Sequence, residues 1–202
     1  MERQEFINVF WNYYLNLENK FINTTQYVEV DEKNYNTFSI EYIELLQSIC
    51  AEIDTVMKEI CGFKQEEFKK ISEYYDKIKE NPFFKNIMTE KTTYIYKKII
   101  VEPFNEWTER SSPKWWQGYN NVKHERVEKY TDGNLKNVLN ALSALYILER
   151  YKIKESTDGT NKSLDIPEID SKIFALNNLK TENINFGQKM VAEILNKEII
   201  KR

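Results

Sequence analysis

Residues 135–151, LKNVLNALSALYILERY, decide the fold, because apolar side chains cover nearly every face of the helix that they predict. The residues at 132–134, Asp-Gly-Asn, break the chain just before this helix. A helix that is apolar all round belongs inside a bundle rather than on its surface. We therefore expect a mainly α-helical bundle with this helix in the middle.

Three amphipathic helices are predicted before the central one. Residues 2–22 carry apolar side chains three and four apart, as a helix with one buried face requires. A second helix, the longest, ends at Gly62, and a charge-rich third is expected over residues 65–79, with Phe68 on its packed side. The predicted buried face of the first helix comprises Phe6, Val9, Phe10, Tyr13, Tyr14, Leu17 and Phe21.

A small extended element and a C-terminal extension complete the predicted fold. Residues 92–101 are rich in β-branched and aromatic side chains, which favours a strand or hairpin, with helix as the competing interpretation. A short strand is expected within residues 171–179, and a last amphipathic helix over residues 187–200. We expect residues 1–151 to form the bundle and 152–202 to pack on it, because the extension is too small for a core of its own.

Composition narrows the function classes. The formal net charge of −3 argues against a protein that coats DNA through many phosphate contacts, although a local basic patch is compatible with it. No apolar run approaches the length of a membrane span, and the first residues lack the pattern of a secretory signal. We therefore expect a cytoplasmic protein that does not enter a membrane.

The two cysteines predict no disulfide. Cys50 and Cys61 fall on one predicted helix, roughly 16 Å apart, beyond disulfide reach. With one histidine and no paired cysteine motif, we expect no zinc site, no other metal site of the His or Cys type and no cofactor, although carboxylates could still hold a hard cation.

The one histidine of the chain, His124, lies in the run KWWQGYNNVKHER at residues 114–126. Imidazole titrates near neutral pH, so His124 is the natural carrier of a proton in catalysis. On one continuous helix, Asn120 lies a turn before His124 on the polar edge, whereas Lys123 and Arg126 fall within the aromatic arc. Cations in that position need a partner or a ligand.

Two interpretations of these cations stay open. Glu52 and Asp54 flank the apolar stripe of the second helix, and pairing with them would give Lys123 and Arg126 a structural role. In the functional interpretation, a half-buried polar cluster meets phosphate or another polar ligand, and it consists of an acidic partner with His124, Lys123, Arg126 and Asn120.

The motif WWxxYNxVKHxR at residues 115–126, followed by NLxxVLxAL at residues 134–142, resembles the HEPN superfamily of helical bundles. The segments SxEY at residues 39–42 and CxEID at residues 50–54 also resemble bacterial and phage relatives of that type. The resemblance covers residues 1–151 and implies a HEPN-like helical bundle.

The resemblance also implies an activity. Many HEPN proteins are metal-independent ribonucleases, usually dimeric, that act in toxin–antitoxin, abortive-infection and CRISPR systems, with an Arg, a polar residue and a His on one helix. Asn120 matches the polar residue and His124 the histidine. Tyr119 stands where Arg would precede Asn120, so Lys123 or Arg126 would have to supply the positive charge.

We therefore expect a HEPN-like defence protein that cleaves or binds RNA, with RNA, a second copy of the chain and a toxin–antitoxin or defence protein as partners. The alternative is a non-catalytic helical module for interaction or dimerisation, in which His124 only hydrogen-bonds within the bundle. An open groove at His124 would favour the first, and burial beneath a tryptophan the second. The expected site comprises catalytic His124 and Asn120, phosphate-binding or RNA-binding Lys123, Arg126 and Tyr119, and supporting Glu52 and Asp54.

Overall fold

A computed structural model describes residues 1–157 and 167–179 of the chain. Within these residues the fold is mainly α-helical with one small antiparallel sheet, as the sequence predicts. The helices are α1 (Arg3–Phe6), α2 (Asn12–Thr24), α3 (Ile40–Cys61), α4 (Ile71–Glu80), α5 (Lys114–His124), α6 (Arg126–Lys129) and α7 (Leu135–Glu155). The strands are β1 (Thr92–Tyr94), β2 (Ile99–Val101) and β3 (Phe174–Leu176). Short 3-10 segments lie at Glu32–Asn34, Phe84–Thr89 and Tyr130–Asp132.

A turn of π-helix interrupts the N-terminal helix. Residues Ile7–Trp11 are π-helical and join α1 to α2, so one helical rod runs close to the predicted span. Because a π turn holds more residues than an α turn, it shifts the apolar stripe around the helix axis. Val9 and Tyr13, predicted on the buried face, are therefore 55% and 45% exposed, whereas Trp11 is buried.

Helices α3 and α7 pack against each other and form the centre of the core. All residues from 141 to 150 are buried, which confirms that α7 lies inside the bundle. The Ser39 hydroxyl caps α3 by accepting a hydrogen bond from the Tyr42 N–H at 3.1 Å. The helix ends at Gly62, whose φ of 70° lies in the left-handed region that glycine adopts at low cost.

Helix α4 begins at Ile71 rather than at the predicted Gln65, so this part of the prediction is wrong. The Glu73 carboxylate accepts a hydrogen bond from the Lys70 N–H at 2.8 Å, which fixes the helix start at this point. Phe68 consequently lies before the helix and is 87% exposed instead of packed.

The predicted hairpin at residues 92–101 is present as β1 and β2, with Thr92 opposite Val101. The expected C-terminal strand is β3, which pairs antiparallel with the other edge of β1 and places Leu176 opposite Thr92. The hydroxyl groups of Thr92 and Ser143 are hydrogen-bonded at 2.8 Å, and this bond ties the sheet to α7.

Two buried carboxylates hold residues 167–179 against the bundle. Glu18 accepts a hydrogen bond from the Lys172 N–H at 3.0 Å and another from the Ser171 hydroxyl. Glu90 accepts one from the Asn178 N–H at 2.8 Å. Each carboxylate is thereby satisfied inside the protein, where an unpaired charge would be costly.

Three further expectations concern the cysteines, the C-terminal helix and the membrane. Cys50 and Cys61 are free thiols, the first buried and the second half-buried. The helix predicted over residues 187–200 lies outside the described residues. Among the helices that are described, none has the length and apolar character required to cross a bilayer.

Candidate functional site

Two tryptophans anchor α5 on the bundle. The Trp115 indole N–H donates a hydrogen bond to the Pro103 carbonyl at 2.7 Å, and the Trp115 and Trp116 side chains are both buried. Gly118 lies so close to α7 that a Cβ atom there would be 2.5 Å from Nδ2 of Asn137. This face of α5 is therefore fixed, and the opposite face is left to solvent.

The motif helix ends earlier than predicted. At its start, Pro113 occupies the N-cap, and no described side chain caps the helix. His124 is the last residue of α5, because the chain bends at Glu125, with φ of −128° and ψ of 32°. Arg126 begins the separate helix α6, so its predicted place beside Lys123 in the aromatic arc is wrong.

The solvent side of α5 forms one wall of a groove of about 460 Å³, which we call the motif groove. The other lining residues come from α3, from the α3–α4 loop, residues 62–70, and from the start of α4. The groove is lined by Ala51, Asp54, Phe68, Lys69, Lys70, Ile71, Trp116, Tyr119, Asn120, Lys123 and His124. It brings together four of the predicted catalytic and RNA-binding residues and leaves out Arg126.

His124 is exposed at the end of the groove and is not sealed beneath the tryptophans. Within residues 1–157 and 167–179, its imidazole has no hydrogen-bond or ion-pair partner. Asn120 lies one helical turn earlier, is half-buried, and its side-chain amide also has no partner among the same residues. Both side chains are therefore available to a ligand in the groove.

The positive charge of Lys123 lies next to the Tyr119 side chain. Its ammonium group donates a hydrogen bond to the Tyr119 hydroxyl at 3.2 Å and lies 5.3 Å from the centre of that ring. Because Tyr119 is a neutral partner, the charge of Lys123 is not compensated by this contact. A cation thus stands near the position where the resemblance expects Arg.

The two predicted acidic residues do not pair with the motif cations. Asp54 lines the groove, but its carboxylate pairs with Lys58 at 2.8 Å and accepts a hydrogen bond from the Tyr74 hydroxyl at 2.7 Å. Burial and this carboxylate both raise the pKa of Tyr74. The Asp54 carboxylate is therefore already engaged by Lys58 and Tyr74 and does not pair with Lys123.

Glu52 lies outside the motif groove and belongs to the contact between α3 and α7. Burial raises its pKa to about 7. The neighbouring Glu149 is completely buried, and its two carboxyl oxygens have no hydrogen-bond partner among the described residues. Burial, and secondly the charge of Glu52, raise the pKa of Glu149 well above its usual value.

Sequence reasoning missed Phe68, Lys69 and Lys70 as residues of the groove. The helical pattern assigned them to a packed or solvent-facing helix that does not exist at these positions. The spacing of Lys70 and Glu73 was the available signal, because an acidic residue three positions on is typical of a helix start.

Two further cavities of similar volume lie elsewhere on the protein. One of about 430 Å³ is polar and lies beside β2, and one of about 470 Å³ is mainly apolar and lies between α2 and α3. Neither contains His124, so the motif groove alone among these three combines a free imidazole with cations.

Comparison of the chain with protein-family models, with curated proteins and with solved structures finds no match. Among the described residues, no group of three or more His, Cys, Asp or Glu side chains is placed to hold a metal ion. The functional argument accordingly rests on the chemistry of the motif groove.

Proposed function

We propose that the protein is a HEPN-like, metal-independent RNA-cleaving protein whose substrate binds in the motif groove. The observation that supports this most is the placement of His124 on the same groove as Lys123 and Asn120, as an exposed imidazole without a partner in the described part of the chain. Imidazole exchanges protons near neutral pH, and lysine attracts phosphate. These are the two properties that RNA cleavage without a metal ion requires.

In the proposed reaction, the ribose 2′-oxygen attacks the adjacent phosphorus while the neutral His124 imidazole accepts the proton of the 2′-hydroxyl. The bond from phosphorus to the 5′-oxygen breaks, and the leaving oxygen takes a proton from solvent. The products are a 2′,3′-cyclic phosphate and a 5′-hydroxyl end. Lys123 offsets negative charge on the phosphoryl oxygens, and the Asn120 amide offers hydrogen bonds to position the phosphate or the imidazole.

The test is incubation of wild-type protein and His124→Ala with an unstructured RNA oligonucleotide in the presence of a chelator. We expect wild type to produce 5′-hydroxyl ends and His124→Ala to be at least about 100-fold slower, as loss of an acid–base group predicts. Glu125→Ala is the matched control, because Glu125 is the exposed neighbour of His124 and does not line the groove.

Two results would overturn the proposal. One is equal cleavage by wild type and His124→Ala, and the other is the absence of cleavage by wild type with every RNA in a total cellular extract. Melting temperatures should be the same for the variants, because His124 is exposed and forms no hydrogen bond or ion pair with any residue that the structure describes. A substrate with deoxyribose at the cleaved position should stay intact, because the attacking 2′-oxygen is missing.

A non-catalytic interaction module is the second candidate. The observation in its favour is Tyr119, which holds the place of the motif arginine and supplies no charge of its own. This candidate predicts intact RNA with all variants. Homodimerisation and a partner from a defence or toxin–antitoxin system are parts of either proposal, and light scattering on the purified protein tests the dimer.

A further inference from the structure

The α3–α4 loop contributes an aromatic ring and a cation to the lining of the motif groove, in addition to the residues of α5. Phe68 is 87% exposed although it carries a phenyl ring, and it lines the groove together with the aromatic side chains of Trp116 and Tyr119. Loops that carry such residues on a rigid scaffold commonly contribute to binding. The exposed ring therefore offers a flat apolar face to a ligand.

The two lysines of this loop that line the groove, Lys69 and Lys70, differ in their pairing. Lys69 is neutralised, since its ammonium group lies 2.8 Å from the Glu67 carboxylate, 3.5 Å from that of Glu73, and over the Phe63 ring. The exposed side chain of Lys70 pairs with no carboxylate in residues 1–157 and 167–179. Of the two groove-lining lysines on the loop, Lys70 is therefore the one without an ion pair to a described carboxylate.

The groove as a whole is cationic, although the protein carries a net charge of −3. Among the described residues that line it, the one carboxylate is that of Asp54, which is already paired with Lys58. Lys70 on the loop and Lys123 on α5 form no ion pair with a described carboxylate, although the charge of Lys70 acts on the nearby Glu73. Two lysines without ion pairs at one groove suit an anionic ligand.

We infer that the α3–α4 loop is the second half of the RNA site, in which Phe68 stacks on an unpaired base and Lys70 binds the phosphate beside it. This inference rests on the proposed function and names its substrate as single-stranded RNA. In duplex RNA the bases stack on one another, so their faces are not free to meet a side chain. Stacking on an aromatic ring together with backbone contacts from lysine is how proteins hold single strands without reading their sequence.

The test is fluorescence anisotropy with a labelled, unstructured RNA of twelve nucleotides carrying 2′-O-methyl groups. The methyl groups block cleavage, so binding is measured apart from catalysis. We expect Phe68→Ala and Lys70→Ala each to weaken binding about 10-fold, as loss of one stacked base or one phosphate contact predicts. Lys70→Ala should also reduce the slope of log K against log salt by roughly 0.7, whereas Phe68→Ala should leave it unchanged.

Matched controls are available on the same chain. Tyr27 is as exposed as Phe68, at 87%, but lies at another cavity, and Lys64 is an exposed lysine of the same loop that does not line the groove. Tyr27→Ala and Lys64→Ala should bind within about 2-fold of wild type. Phe68→Trp should bind at least as tightly as wild type, since it keeps the stacking surface.

The outcomes separate the inference from the proposed function. If wild type binds the RNA and the two loop variants bind it equally well, the loop inference is wrong while cleavage at His124 stands. If wild type binds no RNA, the proposed function falls and the inference falls with it. Tighter binding of a blunt duplex than of the single strand would also overturn the inference.

Discussion

Glu149 on α7 is buried beside Glu52 on α3, so that burial and then the neighbouring carboxylate raise its pKa well above the usual value. Neither carboxyl oxygen of Glu149 has a hydrogen-bond partner among the described residues. An ionised carboxylate in that position would be strongly unfavourable, whereas the neutral acid is tolerated. Burial therefore favours the protonated, neutral form of Glu149 in the folded protein.

The first prediction is a loss of stability as pH rises. The unfolded chain releases the Glu149 proton near a pKa of about 4.3. The folded chain keeps this proton to a higher pH, so the folded state binds more protons above the pKa of the unfolded chain. The free energy of unfolding should therefore fall as pH rises above about 4.5. The fall should continue past pH 7, because the pKa of Glu52 is about 7 and that of Glu149 is also raised. Urea unfolding at pH 5, 6.5 and 8 measures this free energy.

Glu149→Gln should remove most of this dependence, since the amide has the shape of the neutral acid and does not ionise. We expect the variant to exceed wild type by about 1–3 kcal/mol at pH 8 and by much less at pH 5. The control is Glu155→Gln on the exposed end of α7. If the free energy of unfolding changed with pH in the same way for wild type and Glu149→Gln, Glu149 would not be the source of the pH dependence.

The second prediction concerns Gly133, at the turn before α7. A Cβ atom there would lie 2.2 Å from Cγ1 of Ile43 and 3.2 Å from its Cα atom, so the start of α7 and α3 would have to separate. Gly133→Ala should lower the free energy of unfolding by about 1–3 kcal/mol, as overpacking does. Gly62→Asn is the control, because its Cβ would meet nothing within 4 Å and Asn tolerates a positive φ. Equal melting temperatures for wild type and Gly133→Ala would contradict this prediction, because the turn would then accommodate the methyl group without loss of stability.

The third prediction tests the ion pair that holds residues 167–179. The Arg150 guanidinium, 4% exposed, donates to both oxygens of Asp170 at 2.8 and 2.9 Å. Asp170→Ala leaves that buried cation without its partner and should cost about 3 kcal/mol in urea unfolding. Glu155→Ala, which breaks the more exposed pair with Lys152, should cost less than about 1 kcal/mol. If both variants lost a similar amount of unfolding free energy, burial of the Arg150–Asp170 pair would not explain its contribution to stability.

The sequence predicted those parts of the fold that local patterns encode. The apolar run of α7 and the stop at Gly62 are properties of neighbouring residues, and both predictions are confirmed. The π turn at Ile7–Trp11 and the late start of α4 were missed, because hydrophobic periodicity carries no information on which hydrogen bonds a single turn makes.

The same limit applies to the motif groove. Asn120 and His124 were expected together because one helical turn separates them, and both line the groove. Arg126 was misplaced because the helix was assumed to continue past His124. Lys70 lies far from the motif in the chain and reaches the groove because α3 packs against both α4 and α5, which one sequence does not reveal.

The fourth prediction returns the missing charge to the motif. Tyr119 lines the groove five positions before His124, where the resemblance expects Arg, and its ring contacts Trp116 at a centroid distance of 5.3 Å. Tyr119→Arg places a guanidinium there, which stabilises charge on the phosphoryl oxygens better than a phenol does. If His124 cleaves RNA, single-turnover cleavage at pH 7 should become about 10-fold faster.

Tyr119→Phe separates charge from shape in this experiment. It removes the hydroxyl group that accepts the Lys123 hydrogen bond, keeps the ring beside Trp116 and adds no charge. We expect its rate to stay within about 3-fold of wild type, because the freed ammonium group of Lys123 still faces the groove. A Tyr119→Arg rate no higher than that of Tyr119→Phe, with unchanged melting, would mean that positive charge at this position does not limit cleavage. The cations already lining the groove would then suffice for the phosphate.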